Sequence, residues 1–177
     1  ELTSDAACES RHFVEATREQ VEEFAERRFD DTTFAAVFID GIAFAGEMMV
    51  VALGVAENGS KQVMGLVRGE TENAKIVTSL LTNLRERGLD TNQPTLFCLD
   101  GSKALAAAVK KVFGVNAIIQ RCQVHKTRNV ESHVAKKHQP EVRRRMNEAY
   151  AQVHHADAKR LLQDTVAWLK TINPDAA

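Results

Sequence analysis

The sequence predicts an α/β protein: a mixed five-stranded sheet flanked by helices, followed by the start of an all-helical region. Three observations carry this. Five apolar runs of strand length occur in the order β-β-β-α-β-α-β. Asn58-Gly59 between the second and third is a strong hairpin signal, so the domain opens as an antiparallel meander. The helix-period stretch before the fourth run is the usual crossover that makes strands parallel neighbours.

Residues 14 to 29 read as an amphipathic helix with Val21, Phe24, Ala25 and Phe29 on one side, ended by Asp30-Asp31-Thr32-Thr33. The first strand is Ala35 to Gly41, the second Met48 to Val55 and the third Gln62 to Val67. A helix follows from Glu72 to Arg87, its stripe made by Val77, Leu80, Leu81 and Leu84, with Gly88 placed to end it. The fourth strand is Thr95 to Gly101. Ser102 can cap a helix whose Leu105, Ala108, Val109 and Val112 face inward, Gly114 ends it, and Val115 to Ile119 is the fifth strand. From Gln123 the chain turns polar, basic and helical. Pro140 is a break, and helices are expected over Glu141 to Val153 and Ala156 to Lys170.

The first and fourth strands share one grammar. Ala35-Ala36-Val37-Phe38-Ile39-Asp40-Gly41 and Thr95-Leu96-Phe97-Cys98-Leu99-Asp100-Gly101 are both apolar runs closed by Asp-Gly. If the two lie parallel and adjacent, their ends are about 5 Å apart, and two carboxylates that close repel unless a cation or a shared proton sits between them. Either Asp-Gly alone could simply turn the chain; the repetition points to a metal site.

With 27% charged and 44% hydrophobic residues and no long apolar run, the sequence is neither a membrane protein nor a disordered one. Cys8, Cys98 and Cys122 are too few and too scattered for a disulfide framework, which implies a reducing, intracellular setting. The chain starts at Glu1 and reads as an excerpt of something longer. Its net charge of -1 hides an asymmetry: residues 1 to 102 carry -9 and residues 103 to 145 carry +9. A basic segment beside a carboxylate pair suits a polyanion, although a solvated helical face would look the same. Lys103, Arg121, Lys126 and Arg128 are the candidates for phosphate contacts; for Lys136, Lys137, Arg143, Arg144 and Arg145 a solvated face is expected. Cys122-x-x-His125 could be half of a zinc site, but Cys8, Cys98, His133 and His138 offer no matching second pair. The same two residues could also be a helix-start histidine packed beside a small buried cysteine.

Several stretches together carry a family resemblance: Phe38-Ile39-Asp40-Gly41, Val51-Ala52-Leu53-Gly54-Val55, Gly65-Leu66 to Thr71-Glu72-Asn73, Arg87-Gly88-Leu89, Leu99-Asp100-Gly101-Ser102-Lys103-Ala104-Leu105 and, most specific, Gln120-Arg121-Cys122-Gln123-Val124-His125-Lys126-Thr127-Arg128-Asn129-Val130. The chain resembles the Mutator-type insertion-sequence DDE transposases of bacteria, from about Val21 to Trp168. The resemblance implies an RNase H-like catalytic core over residues 34–128, preceded by a linker and helix over 1–33 and followed by the start of a helical insertion over 129–177. It implies that Asp40 and Asp100 are the first two catalytic carboxylates and metal ligands, and that Cys122 and His125 support the active site.

The family's third acid, a glutamate in Thr-Thr-Asn-x-x-Glu, is not present; Thr171-Ile172-Asn173-Pro174-Asp175 lacks its second threonine and its glutamate. The implied cofactor is Mg²⁺ or Mn²⁺, two ions in the complete site. The implied partners are transposon-end and target DNA and, at full length, further copies of the protein. The implied setting is the bacterial cytoplasm, in association with the nucleoid. Water would cleave at the transposon end and the freed 3′-hydroxyl would attack target DNA, while this fragment alone is expected to be inactive. Two rivals stay open: a truncated DNA-binding remnant without catalysis, and another RNase H-like nuclease that completes its site with an acid such as Glu47.

Overall fold

A computed structural model describes residues 17–70 and 73–177, which fall into two compact units dividing between Gln120 and Arg121; each is taken by itself. In the first unit, helix α1 covers residues 17–26 and the strands are β1 (Phe34–Phe44), β2 (Glu47–Ala56), β3 (Lys61–Arg68), β4 (Thr95–Leu99) and β5 (Ala117–Arg121). Helix α2 (Ala74–Glu86) lies between β3 and β4 in sequence, and α3 (Lys103–Phe113) between β4 and β5. The sheet order is β3-β2-β1-β4-β5. β1 pairs antiparallel with β2 and parallel with β4, in a register that runs from Ala36 opposite Leu96 to Ile39 opposite Leu99. The chain thus leaves β1 toward one side of the sheet and returns on the other. The carboxyl ends of β1 and β4 form the switch point at which open α/β sheets bind ligands.

One face of the sheet is the core. Val37, Ile39, Val50, Ala52, Met64, Phe97 and Leu99 pack with Val77, Leu80, Leu81 and Leu84 of α2 and with Leu105, Ala108, Val109 and Phe113 of α3. The alternating residues Phe38, Leu66, Leu96 and Ile118 stand exposed. No helix among the described residues is long and apolar enough to cross a membrane.

Arg87 gives the Arg87-Gly88-Leu89 motif its physical meaning. Its guanidinium is buried, has no carboxylate partner among the described residues, and donates to three backbone carbonyls: Nε to Arg27 at 2.8 Å, Nη2 to Phe24 at 2.8 Å and Nη1 to Met64 at 3.0 Å. Two of these lie at the C-terminal end of α1, where helix carbonyls lack partners. The group also stacks 4.8 Å from the Phe29 ring. Burial, and secondarily the charge of Arg27, push its pKa down. The next two residues close α2, with Gly88 N–H bonding Arg85 O at 2.9 Å and Leu89 N–H bonding Leu84 O at 3.0 Å. Gly88 has φ +98°, and a Cβ there would meet the Asp30 carboxylate at 2.5 Å, so only glycine fits.

Several boundaries differ from expectation, among them the helix expected over Glu141 to Val153, which runs from Gln139 to Tyr150. Asp40-Gly41 does not turn the chain: β1 runs on to Phe44 and the hairpin closes at Ala45-Gly46, both with positive φ (50° and 80°), as a two-residue loop whose twist suits the strands. The fifth strand starts two residues late, because Gly114–Asn116 forms a 3-10 turn that leaves Val115 fully exposed and ties the Asn116 amide to Thr91 O at 3.0 Å. Helix α1 keeps most of its length exposed, Val21 included, and Phe29 is buried beyond its end; residues 14–16 and Cys8 lie outside the described residues.

The second unit is helical: α4 (Gln123–Ser132), α5 (Gln139–Tyr150) and α6 (His155–Lys170) around Val130, Val134, Val142, Met146 and Leu169. Pro140 sits in the first turn of α5, where its missing N–H costs nothing. The arginine run is not simply solvated. Arg144 grips Glu141 with two bonds of 2.8 Å and reaches Glu148 at 2.9 Å, while Arg145 bonds Glu141 at 2.7 Å and stacks 4.8 Å from Trp168. Hydrogen bonds from Arg144, then Arg145, hold the Glu141 carboxyl down at about 2.

Replacing Arg87 strands three backbone carbonyls, one of them buried and two partly so. Arg87→Met should cost about 2 to 4 kcal/mol of stability in chemical denaturation, and Arg87→Lys should recover little, since an ammonium cannot span the three acceptors. A loss under about 0.5 kcal/mol would contradict the role assigned to Arg87.

Candidate active site

Asp40 and Asp100 follow the last parallel pair, Ile39 opposite Leu99, so they occupy the next facing position on strands about 4.8 Å apart. Val37, Ile39, Phe97 and Leu99 point into the core, and the alternation of a strand puts Asp40 and Asp100 together on the other face, each half-buried. Backbone donors hold them: Gly41 N–H to Asp40 Oδ1 at 2.8 Å, and Ser102 N–H to Asp100 Oδ1 at 2.7 Å. Ser102 in turn caps α3, its Oγ accepting from Leu105 N–H at 3.3 Å. Asp100-Gly101-Ser102 is therefore a turn that ends a strand, starts a helix and orients a carboxylate in three residues. The positive end of α3 and the exposed Lys103 on its first turn stand beside Asp100.

Four other acids of the first unit stand away from the pair. Asp30 and Asp31 precede β1, Glu57 follows β2 and Asp90 precedes β4, so all four lie at the opposite edge of the sheet.

Two carboxylates on one face are hard oxygen donors of the kind Mg²⁺ takes, one or two at a time, with water and substrate phosphate completing its shell. The pair fits such an ion. Among the described residues no group of three or more His, Cys, Asp or Glu could hold a metal, so neither this pair nor Cys122-His125 gains a third protein ligand of those types there. Glu47 is not the missing acid: it faces Phe44, four residues beyond Asp40 along β1, and Arg68 Nη2 holds its carboxylate at 2.8 Å.

Cys122, His125, Lys126 and Arg128 belong to the second unit. Cys122 is the N-cap of α4 and is half-buried as a free thiol, and its carbonyl accepts from Lys126 N–H at 2.9 Å. His125 and Lys126 are half-buried in the first turn; Arg121 and Arg128 are exposed. Burial pushes the Tyr150 phenol up, against the opposing charge of nearby Arg121. One carboxylate went unnoticed in the sequence. Glu131 is buried on α4, its Oε1 lies 2.9 Å from Arg143 Nη2, and with Arg128, Asn147 and Tyr150 it lines an open cavity of about 550 Å³. Its signal was available: Thr127, Val130, Glu131 and Val134 are all buried at helical spacing, so Glu131 stands inside an inward stripe.

The model of the family described as "Transposase, Mutator family" matches residues 9–173. The chain belongs to that family. It is 29% identical over 162 residues to the transposase for insertion sequence element IS1201 of Lactobacillus helveticus, covering 87% of this chain and 43% of that protein. It is 31% identical over 126 residues to the IS905 transposase of Lactococcus lactis subsp. lactis, covering 67% and 31%. It is 33% identical over 87 residues to the IS256 transposase in Tn4001 of Staphylococcus aureus, covering 49% and 22%. The chain thus spans less than half the length of each of these Mutator-family relatives.

If Lys103, Arg121, Lys126 and Arg128 touch phosphates, each substitution by Ala should weaken duplex binding equally for all sequences and shrink the slope of log affinity against log salt by about 0.9. Filter binding from 50 to 300 mM salt, roughly the range over which phosphate contacts dominate, reads this directly. A weaker affinity with the slope unchanged would speak against phosphate contact.

Proposed function

We propose that this chain is the catalytic portion of a Mutator-family transposase that cuts DNA at transposon ends and joins it to target DNA, with Asp40 and Asp100 as two of its metal-holding carboxylates. The observation that carries this is the parallel pairing of β1 and β4, which sets the two carboxylates on one face at the switch point of the sheet. Mg²⁺ or Mn²⁺, two ions in the complete site, would supply charge neutralisation for an in-line phosphodiester displacement.

The chain's own residues do the positioning. Gly41 N–H and Ser102 N–H fix one oxygen of each carboxylate, so the pair is oriented before substrate arrives. The amino end of α3 and Lys103 draw a phosphate toward the same edge. In the second unit Arg121, Lys126 and Arg128 hold further phosphates without reading sequence. The partners are transposon-end and target DNA, and copies of the same protein in the working assembly. With two carboxylates in hand, the 177-residue chain alone holds Mg²⁺ only weakly and does not cut DNA.

Asn keeps the shape of Asp but removes the charge that attracts the cation. Expressed in the full native reading frame, Asp40→Asn and Asp100→Asn should each lower strand cleavage and transfer by more than about 10³-fold, roughly 4 kcal/mol in barrier, with end binding nearly intact. Activity within about tenfold of the unsubstituted protein would sink the assignment.

A further inference from the structure

The β1–β2 hairpin does not stop where the carboxylates are. β4 ends at Leu99, whereas β1 and β2 stay paired through Ile42 opposite Met49 to Phe44 opposite Glu47. At about 3.3 Å per residue the hairpin carries Phe44 roughly 13 Å past Asp40. Strand alternation puts Asp40, Ile42 and Phe44 on one face, and Ile42 and Phe44 are 45% and 70% exposed. The tip is built to be firm: a two-residue loop, a continuous ladder behind it, and Arg68 on β3 holding Glu47 at 2.8 Å. That ion pair also neutralises the only charged residue between Gly41 and Met48. The loop spends a non-glycine residue, Ala45, at φ +50°, although the same chain uses the favoured Asn-Gly at its other hairpin.

We propose that this hairpin is a wedge for duplex DNA, with Phe44 entering between stacked base pairs some distance along the duplex from the phosphate held at Asp40 and Asp100. The inference rests on the reading of those two residues as the catalytic carboxylates. Its occupant follows from continuity: any duplex lying along β1 with a phosphate at Asp40 must pass the tip on the same face. Base pairs rise by about 3.4 Å, close to the rise of a strand residue, so Phe44 meets a step about four base pairs from the cut. Aromatic and apolar side chains driven between base steps unstack them and kink the duplex, and a pre-ordered tip loses little freedom in doing so. Ile42 packs the sugar behind it.

The test uses the protein in its full native reading frame, with the element's terminal duplex carrying 2-aminopurine at successive positions and Ca²⁺ in place of Mg²⁺ so that DNA is bound and uncut. Fluorescence should rise severalfold at one position about four base pairs from the cut. It should fall to the free-duplex value with Phe44→Ala and persist with Phe44→Trp. In Mg²⁺, Phe44→Ala should cut the paired duplex at least tenfold more slowly and regain most of that rate when the same step is mismatched. An unchanged fluorescence map in Phe44→Ala overturns the wedge, as does a melting temperature lowered by more than about 5 °C, which would show the ring buried by protein. Cleavage persisting in Asp40→Asn would instead defeat the carboxylate reading, and the fluorescence map would still decide the wedge.

Discussion

The proposed site of the first unit depends on four residue pairs of parallel β-sheet. β1 and β4 are joined only from Ala36 opposite Leu96 to Ile39 opposite Leu99, and their registers bring Asp40 and Asp100 to adjacent strands. A slip of one residue would turn one carboxylate into the core and the other out of it. The register is held by burial: Val37, Ile39, Phe97 and Leu99 are each at most 1% exposed, so a slip would exchange apolar side chains for Phe38, Cys98 and the acids themselves. The packing of α2 and α3 on that face therefore enforces the geometry of a site on the other face.

The two edges of the sheet divide the remaining work. At the carboxyl edge of β1 and β4, strands end, α3 begins and a backbone turn presents Asp100. At the other edge the chain is stapled. Arg87 gathers the ends of α1 and α2 and the middle of β3, Gly88 lets Asp30 approach, and Asp30 is paired in turn with Arg28 at 2.6 Å. Carboxylates at the stapled edge are spent on structure or solvent. Those at the other edge are held by backbone donors in a place a polyanion can reach. The same economy runs through the second unit, where Glu131, Glu141 and Glu148 bind Arg143, Arg144 and Arg145. The basic excess that remains for a partner is smaller than the charge count suggests.

Periodicity made the order of elements, the crossover and the inward stripes of α2 and α3 legible, because each is a local pattern whose burial is one-sided, whereas the order of strands in the sheet is a matter of tertiary pairing. Asn58-Gly59 is legible as a turn because the Asn58 side chain accepts from Ser60 N–H at 2.9 Å and Gly59 takes φ +83°. Ala45-Gly46 is not, since alanine carries no turn preference, and the strand was therefore ended early at Asp40-Gly41. The fifth strand was placed early because Val115 looks like a strand residue; Gly114 and the Asn116 amide instead make it a turn. Within the site, Asp40 and Asp100 were visible as a repeated Asp-Gly. Glu131 lies on a helix rich in basic residues, where nothing in the charge pattern distinguishes a buried carboxylate from a solvated one. Its pairing partner, Arg143, lies on another helix that no local pattern connects to it.

The central claim is that Asp40 and Asp100 share one cation. Fe²⁺ placed in the Mg²⁺ site, with ascorbate and peroxide, cleaves a polypeptide beside its metal ligands. With terminal DNA bound, the account predicts two backbone cuts, one beside residue 40 and one beside residue 100, both suppressed by millimolar Mg²⁺, on the order of weak carboxylate sites, and both lost in Asp40→Ala and in Asp100→Ala alike. Cuts at only one of the two strands, or a cut beside residue 100 that survives in Asp40→Ala, would contradict it.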